Sequence, residues 1–235
     1  MPASDACVLQ VKRFRSAAEA LRRQDMFHGV PFDPALQPGL LAWTSPRALL
    51  VAPGESRLAA FETAAQACAE AGWPVAIRRG GGRVCPISPG TLQLAISRPV
   101  AEGITIASAY EEMATLLERL LEHFEIQVER GICPDAFCPG RYDLSVAGRK
   151  IAGLAQVWRL HHGQRIAITG ASLVVGDEAD SLADGANLFS LHLHAPPACR
   201  SGAIGSLGRA AGRSIFVEDV LGVLQGFDDG VDSPS

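Results

Sequence analysis

Two residues in the stretch FCPGRYDLSVAGRKIAGLAQVWR, Phe137 to Arg159, have side chains suited to acyl chemistry. Cys138 precedes Pro139-Gly140, so its thiol sits on a restricted backbone next to a glycine that permits close approach of a substrate. A thiolate there is a good acyl acceptor. Lys150 comes just after a turn at Ala147-Gly148. Of the chain's 21 basic residues only Lys12 and Lys150 are lysines, and the rest are arginine. A lysine at 150 therefore points to work for a compact, rotatable ammonium rather than to a solvated surface charge. Beside a thiol, such an ammonium favours the ionised sulfur. Cys133, also succeeded by proline, is a rival nucleophile, and either cysteine alone could equally be a small buried hydrophobe.

A second run, RRGGGRV, sets Arg78, Arg79 and Arg83 around Gly80, Gly81 and Gly82, ahead of Val84. Glycines in a turn let backbone N–H groups approach an anion or a polarised carbonyl, although three glycines also suit a plain tight connection. The run is neither GxGxxG opening a helix nor GxxxxGK[ST], which excludes Rossmann and P-loop chemistry. No G-x-S-x-G elbow supports a serine hydrolase. No CxxC pair occurs, and the pairs His161-His162 and His192/His194 lack a third ligand at a metal spacing, so no metal site is expected. His192 and His194 read as alternate positions of one strand.

These residues need elements to hold them. The periodicity predicts an amphipathic helix over 9–25, strands at LLAW and ALLVAP, and a helix from Glu55 to Ala71 stopped by Gly72. A strand PVAIRR leads into the glycine run, and TLQLAIS comes after it. Ser108 and Glu111 have capping-box spacing before a helix lined by Met113, Leu116, Leu117, Leu120 and Phe124. IQVERGI reads as an edge strand. YDLSV, KIAGLAQVWRL and RIAITGASLVV then form a meander, with turns at 147–148 and 162–163. The segment 183–195 has no clear pattern, VEDVLGVLQGF is a final helix, and DDGVDSPS should fray. Helices interspersed with antiparallel strand runs indicate α+β architecture.

The 235 residues are 48% hydrophobic and 20% charged, enough to bury a full core in one domain, 1–235, with 190–235 as a helical extension of it. A net charge of -4 without basic runs argues against nucleic acid and membrane surfaces as partners. No apolar run reaches the ~18 residues of a membrane span and no signal-like start is present, so a cytoplasmic protein with its six cysteines reduced is expected, a monomer by default.

The segment VAIRRGGGRVCPISPGTLQLAIS, together with the later CPGRYDLSVAGRKIAGLAQVWR, resembles the biotin/lipoate protein ligase superfamily in its glycine run and its lysine strand, from about Arg13 to Val175. Where lipoate-protein ligase A usually carries His-Asp and Asn-Asp, this chain has Pro86-Ile87 and Tyr142-Asp143, and the GRGRxxRxW-type signature of biotin ligases is missing. Cys-Pro-Gly-x-Tyr-Asp-Leu-Ser looks like the cysteine-dependent octanoyl-[glycine-cleavage H protein]:protein octanoyltransferases, whose nucleophile matches Cys138. The resemblance implies a biotin-ligase-like (class II synthetase-like) mixed, largely antiparallel sheet flanked by helices, with a tunnel for an eight-carbon acyl chain. Val84, Leu92, Ile151 and Leu154 are candidates to line it. It also implies catalytic roles for Cys138 and Lys150, Lys150 holding the carbonyl oxygen with help from N–H groups of the glycine run. Arg78, Arg79, Gly80, Gly81, Gly82, Arg83, Val84, Gly153, Ala155 and Gln156 would be substrate-binding. Such a transferase uses no metal or ATP and acts on lipoyl-carrier proteins (glycine-cleavage H protein, 2-oxoacid dehydrogenase E2 domains) or acyl carrier protein. An ATP-dependent lipoate ligase using Mg, and a non-catalytic acyl or lipoyl-domain binder, are the alternatives.

Overall fold

The structure, a computed structural model, describes residues 8–26, 39–161 and 163–228. Among them, ten strands and six helices run in the order β1 (Val8–Arg13), α1 (Ala17–Met26), β2 (Gly39–Thr44), β3 (Ala48–Val51), α2 (Phe61–Glu70), β4 (Val75–Ile77), β5 (Cys85–Ile87), β6 (Thr91–Pro99), α3 (Ile106–Glu122), β7 (Glu129–Arg130), β8 (Leu144–Val146), β9 (Arg149–His161), β10 (Gln164–Val174), α4 (Ala179–His192), α5 (Leu207–Ala211) and α6 (Val217–Asp228). A seven-stranded sheet has the order β1-β2-β6-β10-β9-β8-β7, and a three-stranded sheet the order β4-β3-β5. Of these strand pairs only β1/β2 and β3/β4 are parallel; every other pair is antiparallel, as the meander pattern requires.

The large sheet buries one face under α3 and α6. Met113, Leu117, Leu120 and Leu121 of α3 meet Leu92, Leu94 and Ile96 of β6 and Ile151 of β9, while Val220 and Leu224 bring in α6. A second cluster packs Phe61 and Cys68 of α2 against Leu182 and Phe189 of α4. The third, under α1, contains Leu21, Trp43, Leu50 and Ile168. β8 covers the edge of β9 only as far as Ala152, and the loops carrying Gly80 and Gly140 lie against the residues that follow.

Several expectations change in the structure. The helix expected over 9–25 is a strand and then a helix: Leu9 and Val11 alternate toward the core in β1, and helical spacing begins only at Ala17. The helix expected from Glu55 is a short 3-10 turn, Glu55–Arg57, before α2. Thr105, not Ser108, caps α3; its side chain accepts from Ser108 N–H and Ser108 Oγ accepts from Thr105 N–H, so Ser108 is the inner half of the capping box. Phe124 is buried beyond the helix end. The segment without a pattern is mostly α4, and His192 ends that helix while His194 lies beyond it in the left-handed region at φ 55°, so the two do not alternate on a strand. The turn residue His162 and the tail from residue 229 lie outside the described residues.

Candidate active site

Antiparallel pairing of β8 with β9 sets Ser145 opposite Lys150, which turns the lysine side chain inward beneath the loop that precedes β8. Its backbone is pinned as well: Lys150 N–H donates to Ala203 O and Gly205 N–H donates to Lys150 O, both at 2.9 Å. The ammonium donates to Cys138 O at 2.7 Å and to Phe137 O at 3.1 Å, and pairs with Asp143 Oδ1 at 3.0 Å. Asp143 Oδ2 accepts from Gly140 N–H at 2.9 Å. Lys150 and Asp143 are both buried, so the pair holds the 137–143 loop from within. Burial pushes the Asp143 carboxyl up, against the Lys150 charge and the N–H groups of Gly140 and Cys133.

Gly153 lies on the same strand where a Cβ would stand 2.7 Å from Lys150 Cε and 2.8 Å from Nζ. The glycine of the lysine strand is thus room for the lysine itself. Cys138 takes φ 46°, a left-handed conformation rare outside glycine, and both its carbonyl and the one before it are turned onto the ammonium.

The sulfur faces the glycine-rich loop. Arg83 N–H donates to Cys138 Sγ at 3.2 Å, and Arg78 Nη2 lies 3.5 Å from it while donating to Arg83 O at 2.8 Å. Gly82, at φ 102°, makes this approach possible, for a Cβ there would lie 2.6 Å from Sγ and 2.9 Å from Arg78 Nη2.

Behind the sulfur a cavity of about 90 Å³ runs between β9, β10, β6 and α1. Leu50, Trp43, Leu94, Ile168 and Ala171 give it apolar walls, and Trp43 Nε1 is satisfied by Gln24 Oε1 at 2.9 Å. Arg79, paired with Asp25 at 2.8 Å, also borders it. An apolar cavity bordered by a thiol suits a short acyl chain with its carbonyl at the sulfur.

Cys138, Lys150, Arg78, Arg79, Gly80, Gly153, Ala155 and Gln156 all line this cavity, although they come from distant parts of the chain. Gly81, Gly82, Arg83 and Val84 are not among its lining residues. Arg83 N–H and Gly82 lie against the sulfur instead, and Val84 is packed in the core with Phe61 and Leu182. Of the residues expected to line a tunnel, Ile151 and Leu154 border this cavity, Ile151 also belonging to the first core cluster, while Val84 and Leu92 lie in the core clusters away from it. Cys133 is buried outside it, its thiol pushed up by burial.

Sequence reasoning missed Asp143 as the counter-charge of Lys150; its one signal was an acid in the YDLS run that leads into the strand beside the lysine. It missed Tyr110 too, whose ring stacks on Tyr142 with centroids 4.6 Å apart and an interplanar angle of 5°. Cys85 was also passed over. It lines the same cavity, with its thiol raised by burial and then by the neighbouring Cys138.

Residues 16–224 match the family described as the lipoyl protein ligase A/B catalytic domain. The chain belongs to that family. Among curated relatives, the octanoyl-[GcvH]:protein N-octanoyltransferase of Bacillus velezensis is 31% identical over 128 residues, 54% of this chain and 44% of its own length. The lipoyl-[GcvH]:protein N-lipoyltransferase of Listeria monocytogenes is 31% identical over 115 residues, 48% and 41%. The matched segments thus span less than half the length of these relatives. A solved lipoate-protein ligase A bound with ATP shares the fold at TM-score 0.72 and 16% identity, with 95% of this chain and 84% of that one covered. The lipoyl protein ligase A/B fold is therefore the mixed, largely antiparallel architecture described above, and among the described residues no helix is long and apolar enough to cross a membrane.

Proposed function

We propose that this protein moves an octanoyl or lipoyl group onto a lysine of a lipoyl-carrier domain through a thioester on Cys138. The observation that carries the reading is the placement of one sulfur: it closes an apolar cavity, receives two N–H groups from the glycine-rich loop, and has its backbone fixed by a buried ammonium. Family membership and the transferase names of the 31% identical relatives support it.

In the first step Cys138 Sγ adds to the acyl carbonyl of a donor carrier, the carbon–nitrogen bond of the donor amide breaks, and the thiol proton leaves with the amine. In the second, the acceptor's lysine nitrogen adds to the thioester carbon, the carbon–sulfur bond breaks, and sulfur recovers a proton. The cavity holds the chain while the carriers exchange at its mouth.

The test is intact-mass analysis after incubation with octanoylated glycine-cleavage H protein and, separately, with octanoyl acyl carrier protein. An octanoyl adduct is expected on the wild type and absent from Cys138→Ala. Full transfer by Cys138→Ala, or pyrophosphate release on mixing with lipoate and ATP in place of an adduct, overturns the reading in favour of an adenylating ligase.

A further inference from the structure

In the second step of the proposed reaction the carbon under attack is bonded to Cys138 Sγ and its acyl chain occupies the cavity, so the acceptor's lysine needs a separate approach. The cavity lies on the α1 side of the sheet. Leu21, Gln24 and Asp25 of α1 line it, and its lining includes no residue of α3. Along β2, Leu40 and Ala42 pack into the cluster that holds α3, while Leu41 and Trp43 pack into the one that holds α1, so the two helices cover opposite faces.

The uncovered edge of β9 joins the α3 side to the sulfur. A Cβ at Gly140, in the Cys138 loop, would lie 3.8 Å from Leu154 O, and one at Gly80, in the glycine-rich loop, 4.0 Å from Gln156 O. The two loops that hold the sulfur thus meet β9 two residues apart. Tyr110 comes to the same place from α3. Its ring stacks on Tyr142 of the Cys138 loop, with centroids 4.6 Å apart, and both rings are part-exposed. Neither tyrosine lines the acyl cavity. Burial pushes the Tyr110 hydroxyl's titration up; the Arg78 charge and the Gln156 N–H oppose this, while Tyr142 and Cys138 add to it. The hydroxyl therefore shares the surroundings of the reacting sulfur, keeps its proton at neutral pH and offers a lone pair to an N–H.

Granting the acyl-transfer reading, we infer that Tyr110, backed by Tyr142, receives the acceptor's lysine: its methylenes run along the rim of the stacked rings, and the Tyr110 hydroxyl accepts one N–H of the amine. The nitrogen lone pair is then free to add to the thioester carbon. As the carbon–sulfur bond breaks, sulfur keeps the bonding pair and takes the proton that nitrogen sheds. The acyl chain lies on the α1 side and the lysine arrives from the α3 side, so the two meet at one carbon without sharing a channel.

The half-reactions isolate this role. p-Nitrophenyl octanoate loads Cys138 and releases a coloured phenol with no acceptor present. The octanoyl-enzyme is then discharged by the apo lipoyl domain of a 2-oxoacid dehydrogenase E2, by Nα-acetyl-lysine methylamide, or by hydroxylamine, which has no side chain to guide; intact mass follows the adduct. Tyr110→Leu loses both the hydrogen bond and the ring, and should lose discharge by the lipoyl domain and the lysine amide by roughly tenfold or more beyond any loss in loading or in discharge by hydroxylamine. Tyr110→Phe keeps the stack and should lose about fivefold with the lysine amide, the worth of one neutral hydrogen bond. Tyr142→Leu serves if Tyr110→Leu does not fold, and should show the same selective loss. Discharge by the lysine amide at the wild-type rate in Tyr110→Leu or Tyr110→Phe overturns the inference, as does a loss shared equally with loading and hydroxylamine. Failure of wild-type protein to form an octanoyl adduct at Cys138, or to pass it to any lysine, instead overturns the acyl-transfer reading, so the two failures are distinct.

Discussion

Replacing Asp143 by asparagine keeps the side-chain shape and the acceptor for Gly140 N–H but removes the counter-charge of Lys150. The pair is 3.0 Å apart, with side chains 1% and 5% exposed. At an effective dielectric of about 20 the attraction is on the order of 5 kcal/mol, most of it offset by the desolvation of both groups. The intact pair is thus worth little net, but one orphaned charge is expensive. Asp143→Asn should lower the unfolding free energy by about 3–5 kcal/mol, measured by urea titration. Lys150→Met strands two carbonyls and the carboxylate and should lower it comparably, while the double variant should lose about 1–3 kcal/mol less than the two singles summed. pH adds an independent reading. Burial already lifts the Asp143 carboxyl above its ordinary 3.8, and the Lys150 charge is the foremost cause opposing that rise. Without Lys150 the carboxyl rises further, so above pH 3.8 the native state holds a proton that the unfolded chain releases, and stability falls as pH rises through the window. The deficit of Lys150→Met relative to wild type should be smaller at pH 5 than at pH 8. Additive single variants with a pH-independent deficit would refute a buried, mutually dependent pair.

Gly185, inside α4, lies where a Cβ would come within 2.7 Å of the buried Trp73 ring, so Gly185→Ala should destabilise by about 1–3 kcal/mol in thermal melts despite alanine's better helix propensity. Iodoacetamide at pH 8 should label Cys138 before the buried Cys68, Cys133 and Cys199; burial pushes the Cys68 thiol to about 11, and peptide mapping of a time course gives the order.

The meander from Tyr142 to Val174 was legible because each strand carries its own period and its own turn. Ala147-Gly148 adopts left-handed φ values of 49° and 72°, and Gly163 one of 82°, as hairpin turns demand. α4 was not legible for a physical reason. Its buried stripe, Ala179, Leu182, Ala183, Ala186 and Phe189, has helical spacing but is carried largely by alanines, a weak apolar signal, and it is interrupted by a glycine chosen by Trp73 rather than by helix propensity. β1 and α1 merged into one expected helix because Phe14 and the apolar residues after it continue a helical spacing across the strand's end, and only the parallel pairing of β1 with β2 separates them.

The candidate site shows the same division between local and distant information. Cys138 and Lys150 could be singled out by residue type and by their immediate neighbours in the chain, but the contacts each one makes are set by packing that no local pattern encodes. Gly82 meets Cys138 only through folding of the chain, whereas Gly153 stands three residues from Lys150 on the same strand; both glycines are explained by the volume of a side chain they must admit. Composition singled out Lys150 as a position for an ammonium. Three oxygens lie within 2.7 to 3.1 Å of Nζ in a buried space bounded by Gly153, a setting for a compact ammonium in which the larger planar guanidinium is a poor substitute. If that is why lysine stands at 150, Lys150→Arg should fail to restore either the loop or the chemistry, even though it preserves the charge.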